Sequence, residues 1–510
     1  MFVRKKKNKT GTISIVVVDK SSGKSKEVKR FGVATTEDEV NILYAKAKDW
    51  VMHYGGQQTF DFADASNKQI ESNATRTIVS RIEKVLLNAP FIILEKIYNA
   101  IGFNLLNDEI LKNLAIARVC QPMSKSATVS YLKSHFDNDI HLHNIYRYMD
   151  KLHSTQQDVI QQISVEHTRK VLGGQIGMMF YDVTTLYFET SVQDDLRKPG
   201  FSKDGKTAES QIVLGLLVSA SGYPLSYSIF SGDQFEGRTM IPIVDDFIAR
   251  FSLTDFVIVA DSGLMSSKNI QLLQEAGYKY ILGARIRTEK KSIKEWIISN
   301  KKDDDINYEY KKNDIERLIV SYSSKRAKKD EYNRNKGIER LRKAYRNGTL
   351  TKENINKRGY NKFLQINKDV QVSICESKIK EDSLWDGLKG YITNTTLDAK
   401  DVIDQYNGLW VVEKAFRISK GTLEMRPIFH FSEKRIEAHI CICFVAYKIY
   451  KELERIINNL NLDLSADKVL AIAKTIPTIK VNQPENENTY TETLFLTQEH
   501  ELIRPLFDLK

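Results

Sequence analysis

A chain of 510 residues that is 42% hydrophobic, with 25 glycines and only nine prolines, is too long for one ordinary core and too apolar for a linker or disordered tail. No apolar run approaches the roughly eighteen residues of a membrane span, and Met1-Phe2-Val3-Arg4-Lys5-Lys6-Lys7 lacks the apolar heart of a signal peptide, so a cytoplasmic protein without a membrane partner is expected. The net charge of +11 is unevenly placed: residues 311–370 hold 18 Lys/Arg against 7 Asp/Glu, residues 1–30 hold ten against two, and the remainder is mildly acidic. Two concentrated basic segments on a near-neutral body point to a polyanion, which at this level leaves RNA, DNA and an anionic membrane surface open.

The first unit, 1–150, opens with a predicted hairpin: β-branched Thr12–Val18, a turn over Asp19–Gly23, and a return along Lys26–Phe31. Helical patterns follow at 36–53, 75–100 and 107–119; Ser124 starts another helix and Asn144–Leu152 reads as one more. These last two, with Tyr146, Arg147 and Lys151 on the second, have the outline of a helix-turn-helix. Any small helical bundle produces such pairs, and a bundle is the favoured expectation.

From about 175 the texture changes to strands. Gly177–Val183 is apolar up to Asp182, Ile212–Ala220 and Tyr223–Phe230 form a hairpin around Ser221-Gly222, and Gly237–Phe251 reads as a helix. Asp255–Asp261 is a buried strand that again ends on a carboxylate, followed by a helix over Ser266–Ala276 and a strand over Tyr278–Ala284. The pattern predicts an α/β fold with a mixed sheet flanked by helices over 175–286. Residues 287–385 interrupt it with short strands and a very basic helix; the core resumes over 386–457 with helices at 399–420 and 432–457, before a tail from 458 to 510. Cys441 and Cys443, two apart in an apolar run, suit small buried side chains better than a zinc site, which needs further ligands at the right spacing.

An ionised carboxylate at the end of an apolar strand is costly unless paired or bound to a metal, and sites in open α/β sheets gather at strand ends. Asp182 and Asp261 share that context, although a helix cap or turn is the commoner use of either alone. Glu413 is the third candidate. Tyr406, Glu413 and Lys420 are seven apart, which places them on one face of a continuous helix, with Arg417 one turn beyond Glu413. Val411, Ala415 and Ile418 are expected to pack on the sheet.

These residues resemble the DDE insertion-sequence transposases, in the branch marked by a Y-x2-R-x3-E-x6-K signature. Three of its four positions match at Tyr406, Glu413 and Lys420; Leu409 stands where the arginine belongs, and Arg417 is a candidate to supply the missing cation. Tyr181-Asp182-Val183-Thr184-Thr185, Ala260-Asp261-Ser262-Gly263 and Arg426-Pro427-Ile428-Phe429-His430 add to the likeness, which covers roughly 175–455. The resemblance implies an RNase H-like core with an insertion between the second Asp and the Glu. It also implies two Mg2+ (or Mn2+) ions held by Asp182, Asp261 and Glu413, the first bridging both, for phosphodiester cleavage and strand transfer at the ends of an insertion sequence. Tyr406, Arg417 and Lys420 would position phosphates. Double-stranded DNA, as terminal inverted repeats and target, is the implied partner. So are a homodimer on DNA, a place at the bacterial nucleoid, and end recognition by the N-terminal unit.

The basic insertion fits a phosphate-neutralising role: Lys325, Arg326, Lys328, Lys329, Arg334, Lys336, Arg340, Arg342, Lys343 and Arg346 are interleaved with Tyr332 and Tyr345, which could stack on an unpaired base. Trp296 and Trp385 are further stacking candidates, with burial the expected state of each. Two other readings stand beside an active transposase: a catalytically silent DNA-binding derivative, and an RNase H-like nuclease that does not join strands.

Overall fold

The structure is a computed structural model that describes residues 1–54, 79–189, 192–201, 208–251, 253, 255–264, 266–356, 359–366, 372–482 and 489–509. It divides into two compact units: residues 1–84 with 480–491, and residues 85–479 with 492–510. The expected boundary at 150 is therefore displaced, because the helices from 89 onward belong to the larger unit.

In the smaller unit, β1 (Phe2–Lys7), β2 (Ile13–Asp19) and β3 (Lys26–Ala34) form an antiparallel sheet in that order, and α1 (Glu37–His53) covers one face. The predicted hairpin is β2–β3; the basic leader before it is a strand as well, in register from Phe2↔Val18 to Lys7↔Ile13. Alternation sends Ile15 and Val17 to the same side, where they meet Val40 and Ala47 of α1. Thr36 caps α1 in a capping box with Glu39, the start its sequence predicts.

The larger unit begins with α2 (Ala89–Ile101), α3 (Glu109–Cys120), α4 (Lys125–Phe136), α5 (Leu142–Thr155) and α6 (Gln157–Val171). The helix expected over 75–100 is shorter: Ile82–Leu86 is a strand, Pro90 opens α2, and positions 75–78 lie outside the described residues. Ile145, Met149 and Leu152 of α5 are fully buried in one core with the long helix that closes the fold, so α5 spends an apolar face on packing, as a bundle helix does.

The central sheet has eight strands. β4 (Met178–Tyr187), β5 (Gln211–Ser219) and β6 (Pro224–Ser231) are an antiparallel meander; β7 (Val257–Ala260) and β8 (Lys279–Ala284) run parallel to β4. Helix α7 (Met240–Phe251) precedes β7, and α8 (Ser267–Glu275), capped by Ser266, joins β7 to β8. Beyond β8 and α9 (Lys291–Ser299) come β9 (Asn307–Lys311) and β10 (Arg317–Tyr322), giving the order β9-β10-β13-β8-β7-β4-β5-β6 with β13 (Leu388–Thr393). The meander with two added parallel strands is the RNase H-like arrangement, and helices cover both faces.

Residues 307–322, expected within the insertion, are thus strands of the central sheet. What interrupts the sheet between β10 and β13 is α10 (Ser324–Arg346), the short pair β11 (Leu364–Ile366) and β12 (Val372–Ile374), and α11 (Glu376–Ser383). This segment has a small core of its own, in which Ile338 and Leu341 of α10 meet Phe363, Leu364 and Val372.

The helix expected over 399–420 is three pieces: α12 (Ala399–Asn407), α13 (Trp410–Arg417) and a π-helical turn, Ile418–Thr422. The first break falls at Gly408, which presses so closely on Phe180 that a Cβ there would lie 2.7 Å from the ring. Val412, Ala415 and Phe416 bury the apolar side of α13, whereas Val411 is only half-buried. The long α14 (Glu433–Asn459) closes the core with an almost unbroken buried stretch from Ala438 to Tyr450, where Cys441 and Cys443 are free and buried. Among the described residues, no helix is long and apolar enough to cross a membrane.

Candidate active site

The parallel ladder of β4 and β7 pairs Tyr181 with Ala260, so the next residues, Asp182 and Asp261, lie side by side at the strand spacing of about 4.8 Å. Asp261 follows the end of β7 as expected, whereas Asp182 sits within β4, which runs on to Tyr187 because it keeps pairing with β5. Phe180 and Val259, two residues earlier, lie in the core under α12 and α13; period-two alternation puts both aspartates on that same face. Asp182 is half-buried, and its Oδ1 accepts the Val183 N–H at 2.8 Å. Asp261 is exposed, and its Oδ1 accepts the Tyr406 hydroxyl at 2.8 Å.

Tyr406 is 5% exposed, and reaches Asp261 because Gly283 of β8 leaves its hydroxyl room; a Cβ at Gly283 would collide with that oxygen. Burial, then the charge of Asp261 and the hydrogen bond to it, raise the Tyr406 pKa, so the phenol stays protonated and donates. After Asp261, the exposed Arg285 grips the turn from Nε to the Ser262 carbonyl at 3.0 Å and from Nη2 to the Gly263 carbonyl at 3.3 Å.

Glu413, exposed on α13, lines the same cleft of about 980 Å³ as Asp182 and Asp261. The ends of β7, β8 and β13 and the α12–α13 break form part of its wall, and the first turns of α10 bring Arg326, Asp330, Asn333 and Arg334 to it. Trp410, 60% exposed, stands at its edge.

Lys389 of β13 escaped the sequence reading. Its Nζ lies 4.4 Å from the Tyr406 ring centroid and 5.3 Å from that of Tyr391. Burial and the Arg326 charge lower its pKa, while Asp261 and Glu413 pull it back up: one ammonium faces two of the three candidate carboxylates. A lone cation in the apolar strand Leu388–Thr393 was the available signal.

The remaining expected site residues divide. Arg417 is exposed but outside the cleft wall, and Leu409, which occupies the signature's arginine position, is a buried part of that wall. Lys420 sits in the π-helical turn, also outside the wall. Tyr406 and Glu413, on either side of the turn at Gly408, line the same cleft, and the Tyr406 hydroxyl reaches Asp261.

On α10, Lys325, Arg326, Lys328, Lys329, Lys336, Arg340, Arg342, Lys343 and Arg346 are exposed, as are Tyr332 and Tyr345. Arg342 pairs with Glu376 at 3.1 Å. Arg334 departs from the expectation: it is 7% exposed and paired with Asp386, because positions 334, 337, 338 and 341 form the buried stripe of α10. Trp296 and Trp385 are partly buried against the core beneath the sheet.

Hard oxygen donors side by side on adjacent strands suit a divalent cation. Asp182 and Asp261 meet that description, with Glu413 on the facing helix, but among the described residues no three Asp, Glu, His or Cys side chains gather at ligand spacing. The donor chemistry fits; the closure of all three around one ion is not formed here.

No curated protein matches the chain. Among solved structures, a piggyBac transposase synaptic complex with hairpin DNA is similar at 10% identity and a TM-score of 0.39, over 76% of this chain and 78% of that one. The family model described as the transposase DDE domain matches residues 175–449, more than half of the chain, and spans all three candidate carboxylates. The chain belongs to the DDE transposase family.

Proposed function

We propose that this transposase cleaves DNA at the ends of an insertion sequence and joins the freed ends to target DNA, with Asp182, Asp261 and Glu413 as its catalytic carboxylates. The observation that carries this reading is the in-register placement of Asp182 and Asp261 on one wall of a cleft that Glu413 also lines. Mg2+ or Mn2+ held there would activate the attacking oxygen and stabilise the leaving one.

The protein's own residues prepare that chemistry. Tyr406 holds one oxygen of Asp261 and leaves the other free, and Arg285 braces the turn that follows. Lys389 offsets the mutual repulsion of Asp261 and Glu413 within the cleft. Arg326 lines the same cleft, and the exposed cations further along α10 offer a track for the phosphates of double-stranded DNA. The smaller unit, whose β1 carries Arg4, Lys5, Lys6 and Lys7, is the candidate for recognising terminal inverted repeats, and a homodimer would bring two ends together.

The test is a cleavage and strand-transfer assay on DNA carrying the element's ends, with Asp182→Asn, Asp261→Asn and Glu413→Gln. Each should abolish cleavage while leaving DNA affinity within a few-fold of wild type. Full cleavage by any of the three would remove that residue from the site. Cleavage without joining by the wild type would identify a nuclease, and binding without cleavage a silent derivative.

A further inference from the structure

Away from the cleft, the larger unit encloses a cluster of basic side chains that, among the described residues, has no carboxylate paired with it. Arg118 of α3 is 7% exposed, Lys125 at the start of α4 is 5% exposed, and His439 of α14 is 5% exposed; His430 lies beside them, half-buried. Among the described residues, the Arg118 side chain makes no hydrogen bond or ion pair. Lys125 Nζ has one contact, 3.5 Å to His439 Nδ1. His439 Nε2 donates to the Met425 carbonyl at 3.1 Å, which leaves Nδ1 as the acceptor that orients the lysine.

The electrostatics agree with the geometry. Burial, and then the Arg118 charge, lower Lys125 to about 7. Burial and the neighbouring cations also lower His430 to about 3 and hold His439 well below its usual range. The charged groups that act most on Lys125 and the two histidines are Arg118, Arg435, each other and Cys443. A buried guanidinium without an anion costs several kcal/mol, and folds keep such groups when something pairs with them. Lys125 also opens α4, so the backbone N–H donors of that helix's first turn, where Ser124 caps Ala127, begin at the same residue.

We propose that Arg118, Lys125 and the N-terminal turn of α4 form a binding site for a phosphate-type oxyanion, with His439 as the positioning residue that aims Lys125. Half-buried His430 and Tyr146 border the cluster, their rings edge to face at 6.4 Å between centroids. Two sources share this chemistry: free inorganic phosphate, and the terminal phosphate of a DNA end. The second rests on the function proposed above; the first does not.

The test begins with thermal unfolding of the full chain in inorganic phosphate against chloride at matched ionic strength. A saturable rise in Tm of several degrees in wild type, lost in Arg118→Met and in Lys125→Met, is expected. No phosphate-specific rise in wild type, or an equal rise in both variants, would overturn the site. Replacing either cation should also leave Tm in chloride unchanged or higher, since it removes an uncompensated buried charge; a large fall in both variants would show that the cations stabilise the ligand-free fold, contrary to the proposal. A short duplex with and without a 5′-phosphate then separates the sources. A phosphate-dependent gain in affinity that Arg118→Met abolishes assigns the DNA end; affinity indifferent to the phosphate assigns the free anion.

Discussion

The hydroxyl of Tyr406 donates a 2.8 Å hydrogen bond to Oδ1 of Asp261, across 145 residues of sequence, and ties the helix break at Gly408 to the end of a buried strand. Tyr406→Phe keeps the packed ring and removes only the donor. Cleavage should fall about tenfold, the consequence of losing roughly 1.5 kcal/mol from a hydrogen bond to a charged group, with DNA affinity unchanged. Wild-type cleavage rates in Tyr406→Phe would show that the orientation of Asp261 does not depend on the phenol.

Gly283 makes that hydrogen bond sterically feasible. Gly283→Ala inserts a methyl group against the Tyr406 oxygen and the Ser262 backbone, and should reduce cleavage at least as much as Tyr406→Phe. Combining the two should cost little more than either alone, because both act through one contact. A fully additive double variant would place the effect of Gly283 elsewhere.

The exposed face of α10 makes a different forecast. Lys328, Lys329 and Lys343 are exposed and belong to none of the described ion pairs. Changing all three to Gln should weaken binding to every DNA sequence and flatten the log K against log salt slope by about 0.9 per lost phosphate contact, or nearly 3 in total. A loss confined to one DNA sequence would contradict a phosphate track.

Arg334 lies on the same helix and should behave in the opposite way. It is buried against Asp386, so Arg334→Met strands a carboxylate and should destabilise the protein by about 3 kcal/mol. Asp386→Asn should do likewise, and the double variant should recover part of the loss. The measurements are denaturant unfolding and the salt slope of binding, and the slope should not move.

Glu452 sets an acid limit on stability. Burial alone would raise its carboxyl, but hydrogen bonds from Arg455 and Tyr223 (the latter at 2.5 Å), with the His167 ring 3.6 Å away, outweigh burial and hold it at about 2. A carboxyl held below its ordinary 4.5 stabilises the fold above that pH, and the contribution, of the order of 3 kcal/mol, is lost as pH falls from about 4.5 towards 2. Glu452→Gln should therefore unfold more readily at neutral pH and show a flatter stability profile through that window. An unchanged profile would mean that the Tyr223–Glu452–Arg455 cluster does not differ in proton affinity between folded and unfolded chains.

Much of the fold was legible in local chemistry. Thr36, Ser124 and Ser266 announce the helices they cap, and apolar runs mark the strands that carry Asp182 and precede Asp261, although the first runs on past Asp182 to Tyr187. The basic leader Phe2–Lys7 was not legible as a strand, because its pairing with Ile13–Asp19 supplies the reason for its extension. Nor were Asn307–Lys311 and Arg317–Tyr322 legible as part of the central sheet, since neighbours in a sheet are chosen by packing between distant segments.

The site divides along the same line. Sequence by itself singled out the candidates: two aspartates next to apolar runs, a helical glutamate and a run of cations, all features of a few neighbouring residues. Tertiary structure alone decided how they are used. The helical period runs on through Gly408, and only the fold brings Phe180 against that glycine and Asp261 within reach of the Tyr406 hydroxyl. Arg334 is as cationic as its neighbours, and only Asp386, 52 residues away, takes it out of contact with water. The physical reason is that a side chain's charge and shape are local, whereas its desolvation and its partner are set by whatever the fold brings against it.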